Sequence, residues 1–130
     1  MKNKRFWLLL VMLAMLWGLP QAAWALPCIT QSPVEMGVEV ENPYFTLTFN
    51  EETVFDETAA EEPSNYTVNT AECGLTLGSV TVNSANRTLE LHFTGTAEAG
   101  NLNITIKSAV GNFVDDSGTA VPLTVPSITI

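Results

Sequence analysis

The sequence predicts an all-β domain, an antiparallel β-sandwich of about seven strands. Apolar and polar residues alternate with period two along most of the chain from Val38 onward, as in Phe45-Thr46-Leu47-Thr48-Phe49. Thr, Val and Ile crowd these runs, the residue types that suit a pleated, half-buried surface. Turn signals punctuate them at Asn83–Asn86, Ala99–Asn101 and Gly111–Gly118.

In chain order, the first element is a leader rather than part of the fold. Lys2, Lys4 and Arg5 precede an apolar run from Phe6 to Leu19, then Pro20 and the small-residue signal Ala23-Trp24-Ala25. The pattern predicts a secretory signal peptide over residues 1–25, cleaved after Ala25, and a single domain over residues 26–130. The run is short for a membrane span, so the expected location is secreted, periplasmic or cell-surface. The alternation then places inward Val38 and Val40; Phe45, Leu47 and Phe49; Tyr66 and Val68; Leu75 and Leu77; Val80 and Val82. It continues with Leu89, Leu91 and Phe93; Leu102, Ile104 and Ile106; Val121, Leu123 and Val125; Ile128 and Ile130. The parity slips at Gly78-Ser79, which predicts a bulge or tight connection, and again at Pro126-Ser127. Pro122 and Pro126 mark the last segment as an edge strand. The acidic, Ala-containing stretch Thr53–Glu62 predicts one helical turn ahead of Pro63.

Without the leader, the basic residues reduce to Arg87 and Lys107 against all 14 acidic ones. That balance argues against nucleic acid, whose binding needs clustered Lys and Arg, and it suits cationic partners or divalent ions. The three Trp also leave with the leader. Two cysteines remain, Cys28 and Cys73, and an even count in an exported chain predicts one disulfide between them. A lipoprotein role for Cys28 fails because Pro27 precedes it. A thiolate metal site needs more ligands than two Cys and one His.

Phe45-Thr-Leu-Thr-Phe-Asn50, an acidic loop and Ser64-Asn-Tyr-Thr-Val68 together resemble the bacterial Ig-like domains of S-layer and other surface proteins. The resemblance continues through Leu89-Glu-Leu-His-Phe93, Ala99-Gly-Asn-Leu-Asn-Ile-Thr-Ile106 and Asp115-Asp-Ser-Gly118, and it covers roughly residues 36–125. The late turn departs from that family's usual pattern, since Gly111-Asn112 precedes Asp115-Asp116 and Thr119 follows Gly118. The resemblance implies an Ig-like sandwich in a bacterial surface setting. It transfers no binding residue, because the family has no shared site.

Candidate sites are few. Asp56 and Glu57 in the first acidic loop and Asp115 and Asp116 in the late loop are the candidate calcium ligands, since calcium takes six to eight oxygens. Their spacing is not that of an EF-hand, and a solvated acidic surface is the competing reading. His92, the one histidine, falls on the solvent face of its strand beside Leu91 and Phe93, with no marked nucleophile or orienting partner. No esterase elbow, zinc-protease helix or phosphate loop occurs. Tyr44 should point outward, and Phe55 and Phe113 fall in loops, yet a mature chain without Trp argues against a glycan platform. Three glycosylation sequons occur, at Asn65, Asn86 and Asn103.

These features imply an exported, non-enzymatic Ig-like module with a structural or adhesive role at the cell envelope. Its contacts would be to a protein or envelope component, made through loops or the Pro-broken last strand. No cofactor other than calcium is expected. The alternatives are a calcium-binding secreted β-sandwich and, third, a fimbrial-type subunit that assembles by strand exchange.

Overall fold

The computed structural model describes residues 26–130; the expected leader and its cleavage site at Ala25 lie outside the described residues. The strands are β1 (Ile29–Gln31), β2 (Tyr44–Phe49), β3 (Tyr66–Val68), β4 (Leu75–Asn83), β5 (Thr88–Gly95), β6 (Asn101–Leu102), β7 (Ile104–Ile106), β8 (Leu123–Thr124) and β9 (Ile128–Thr129). One-turn helices α1 (Glu57–Ala60) and α2 (Thr70–Cys73) flank β3, and 3-10 turns cover Pro63–Asn65 and Ser108–Val110. The helical turn expected before Pro63 is therefore present. Asp56 caps it, its Oδ1 accepting from Ala59 N at 3.2 Å.

Four strands form one sheet in the order β1-β2-β5-β4, and three form another in the order β3-β7-β8; β6 pairs with β9. All these pairings are antiparallel. Taking β6–β7 and β8–β9 each as one interrupted strand, the connectivity is that of an immunoglobulin constant-type sandwich. The nine described strands exceed the expected seven because of those two interruptions. The first falls at Asn103, whose N–H donates to Asn69 Oδ1 at 2.7 Å instead of to a strand. The second falls at the Pro126-Ser127 parity slip, between β8 and β9.

One core joins the layers. Phe45, Leu47, Leu89, Leu91 and Val80 from the four-stranded sheet share it with Leu102, Ile104, Ile106 and Ile128. The odd spacing from Leu77 to Val80 is absorbed by a bulge at Gly78: Leu77 pairs Phe93 and Ser79 pairs His92, so both apolar sets of β4 face inward.

Three expectations are corrected. Val38 and Val40 are not inward strand residues; they lie at a turn, 55% and 40% exposed, where Glu39 takes a left-handed φ of 62°. The last strand is not a free edge along its length, because Val34–Met36 crosses over to β9. Glu35 bridges Thr129 in parallel, Met36 N donates to Thr129 O at 2.8 Å and Thr129 N to Val34 O at 3.0 Å.

The third correction concerns the cysteines. Cys28 and Cys73 are both free. Cys28 precedes β1 at the end of the sheet where Thr48 meets Thr88, whereas Cys73 precedes Leu75, which pairs Gly95 at the other end of β5. Eight strand residues span roughly 25 Å, and a disulfide needs Cα atoms within about 7 Å. The even count was a valid compositional cue, but the topology sets the two thiols apart.

Candidate functional site: the outer face of the four-stranded sheet

Every polar position of the β2, β5 and β4 alternation lands on the outer face of the sheet. The register stacks them in three rows: Tyr44-His92-Ser79, Thr46-Glu90-Thr81 and Thr48-Thr88-Asn83. Side chains directly opposite on neighbouring strands stand about 5 Å apart at Cβ, close enough to act as units. In the first row the Tyr44 ring stacks on the His92 ring, centroids 5.2 Å apart and planes 17° apart. His92 Nε2 lies 2.6 Å from Glu90 Oε1, and both side chains are 41% exposed. Tyr44 is 64% exposed.

Glu90 is the one Asp, Glu, Lys or Arg on any described strand; the other described residues of these types sit in loops, turns and short helices. It stands two residues before His92, which in an extended strand puts both on one face. Sequence reasoning placed His92 and Tyr44 outward correctly and missed Glu90 as the imidazole's partner. The signal was present in Glu90-Leu91-His92 and needed only the strand period. Among the described residues no hydroxyl or thiol is hydrogen-bonded to His92, so the pair lacks an attached nucleophile. The arrangement offers a clamped aromatic pair in a field of hydroxyls.

The acidic candidates are placed separately. Asp56 is occupied as the α1 cap, and Glu57 Oε1 accepts from Ser84 Oγ at 2.8 Å. Asp115 Oδ1 accepts from Ser117 N, Ser117 Oγ and Thr119 N at 2.9, 2.7 and 3.0 Å, closing its own turn. Those bonds, the Ser117 hydroxyl first, hold its carboxyl below the usual range. Asp116 is exposed beside it. Phe55 bridges Gly111, so the two acidic segments do sit at one end of the sandwich. Among the described residues, however, no group of three or more His, Cys, Asp or Glu is placed to hold a metal ion.

Phe55 and Phe113 are core residues rather than surface aromatics. Phe49 contacts both, edge-on to Phe55 at 5.0 Å and stacked on Phe113 at 5.9 Å. Of the sequon residues, Asn86 and Asn103 are exposed, and Asn65 Nδ2 donates to Ala59 O at 2.8 Å. The Cys73 thiol, fully buried, donates to Asn101 O at 3.1 Å. Burial, with Glu72 and Glu98 nearby, pushes its pKa up. Half-buried Cys28 accepts from Asn50 Nδ2 at 3.3 Å. No described helix is long and apolar enough to cross a membrane.

An immunoglobulin-type sandwich with an ordered polar face is the class that fold and site define. No protein-family model matches the chain, and no curated protein matches it. Among solved structures it is similar to part of ChiW from Paenibacillus sp. str. FPU-7, a chitinase described as bacterial cell-surface-expressed multi-modular enzyme machinery. The identity is 15% and the TM-score 0.48, over 79% of this chain and 12% of that one.

Proposed function

We propose that the chain is an exported, non-enzymatic Ig-like module with a structural or adhesive role at the cell envelope, in the periplasm or outside the cell. The observation that carries the reading is the three-row outer face. Its chemistry is displayed on a sheet instead of enclosed in a cleft, as suits contact with a macromolecule better than turnover of a small substrate. The leader pattern of residues 1–25 supports export. An excess of carboxylates in loops keeps such a module soluble. On this reading Tyr44 is the contact anchor, because an exposed ring already held by a neighbour loses little side-chain entropy on binding. Its stacking partner His92 and the Glu90 carboxylate hold it in place.

The test is fractionation of cells expressing the full chain, followed by sedimentation of the purified protein with envelopes of the source cells. The reading expects a product beginning at Leu26 outside the cytoplasm, co-sedimenting with envelopes. Tyr44→Ala should weaken that co-sedimentation at least tenfold while leaving the melting temperature nearly unchanged. A cytoplasmic product, or co-sedimentation indifferent to Tyr44→Ala and His92→Ala, would overturn it.

A further inference from the structure

The sheet edges of this sandwich are unequal. The β9 side is closed by the Val34–Met36 crossing, and β3 and β8 are edges of only three and two residues. β4 is nine residues long, the longest strand described, and the one described strand hydrogen-bonded to it is β5. Helices α1 and α2, strand β3 and the Pro63–Asn65 turn all lie beside β4, yet no backbone hydrogen bond joins residues 75–83 to anything outside the β4–β5 ladder. Natural edges are commonly guarded by Lys, Pro or an inward charge. Here Ser79-Val80-Thr81-Val82-Asn83, beyond the bulge, carries none of these.

We infer that this edge pairs with the same edge of a second copy, antiparallel about a twofold axis at Thr81. The choice of a second copy rests on pattern and charge. Reversed on itself, the segment sets Thr81 opposite Thr81, Val80 opposite Val82 and Ser79 opposite Asn83, so apolar meets apolar and polar meets polar. Half-buried Val82 then gains cover from the partner's Val80. Residues 26–130 hold Arg87 and Lys107 against 14 acidic residues and repel their own copy over most approaches, and this seam brings no charged side chain of β4 against another. The paired sheets would place both Tyr44-His92-Glu90 faces on one continuous surface, so the inference also gives the proposed contact face a second copy. It does not depend on export or on any envelope partner.

The experiment is sedimentation equilibrium of residues 26–130, which contain both sheets and their common core. Wild-type protein should move from monomer towards twice the monomer mass between ~1 µM and ~1 mM, and more readily at high salt, which screens the net charge. Thr81→Glu puts like charges opposite on the axis, next to Glu90 of each copy. It should raise the dimer dissociation constant at least tenfold while the chain still melts cooperatively. An equimolar mixture with Thr81→Lys should restore the doubled mass. A wild type that stays monomeric at ~1 mM, or a dimer indifferent to Thr81→Glu, would overturn the inference.

Discussion

Gly95→Ala is the sharpest perturbation of how the sandwich is held at the upper end of β4 and β5. Gly95 has a φ of +107° and Gly74 a φ of +68°, and the two backbones cross with no room for a side chain. A methyl at Gly95 would overlap the Gly74 carbonyl oxygen, and one at Gly74 would come within 2.8 Å of Thr96 O. The obstacles are backbone atoms, so no rotamer change relieves them. The left-handed backbone costs an alanine about 1–2 kcal/mol, and forcing a methyl into fixed neighbours adds about 1–3 kcal/mol. The total, about 2–5 kcal/mol, is a large share of a typical domain's stability. It corresponds to a drop in melting temperature of roughly 10–30 °C. Gly118→Ala is the control, since its φ is +82° with no atom within 4 Å of the added carbon; it should lose only the backbone part. Urea melts of the two variants, compared at constant m-value, isolate the close approach. Equal losses at the two positions would refute the crossing as the source of the cost.

At alkaline pH, Cys73 and Tyr66 should both destabilise the fold. Each is charged when deprotonated, and burial raises its folded pKa above the ordinary values of 9.0 and 10.0. Their contribution is therefore whole below about pH 9 and is lost as pH rises and the unfolded chain ionises first; the urea midpoint should fall from pH 8.5 to 11, less steeply in Cys73→Ala. Asp115 has the opposite sign: its folded pKa lies below its ordinary 3.8, so its contribution is present above that value and disappears as pH falls through the lower folded value. Asp115→Asn should lower the melting temperature at pH 7 and flatten the acid limb, equally in calcium and in chelator; a loss seen only with calcium would assign that turn to an ion instead. Because Cys28 and Cys73 are free and far apart, a reductant should leave the melt of residues 26–130 unchanged, and two thiols should react per chain once it is unfolded. Phe113→Ala should cost about 3–5 kcal/mol, since the ring is 1% exposed against Phe49; a loss under 1 kcal/mol would return Phe113 to the surface.

The fold was legible wherever burial and period act locally. Phe45, Leu47, Leu89, Leu91, Leu102, Ile104 and Ile106 are inward as alternation requires, and the Leu77-to-Val80 slip marked the Gly78 bulge. What was illegible depends on partners distant in the chain. Val38 and Val40 mimic a strand start, but Glu39 N donates to Ala97 O and turns the chain there. Phe55 and Phe113 lack periodic neighbours because each lies outside the regular strands, and their burial comes from packing on Phe49 at the end of β2. The crossing of residues 34–36 to Thr129 spans nearly the whole domain, and no local pattern encodes a contact of that range. The cysteine pair failed for the same reason, since a count carries no distance.

The candidate site shows the same division at finer scale. Tyr44, Glu90 and His92 could each be assigned a face from period two alone, and Glu90 and His92 could be set side by side from their spacing. The stacking of Tyr44 on His92 could not, because it needs the β2–β5 register, fixed by where Phe45 and Leu47 meet Leu91 and Leu89 across the core. Slipping that register by one residue would turn the whole apolar set to solvent. The core that stabilises the sandwich therefore also aligns the three outer rows, and no separate device is needed to assemble the face. A substitution that disturbs the inner register, such as a polar residue at Leu91, should consequently disperse the Tyr44-His92 stack as well as lower stability. A change confined to Thr46 or Thr94 should touch neither. The site is thus a product of the fold's own packing, and its chemistry became visible only once the register placed neighbours beside one another.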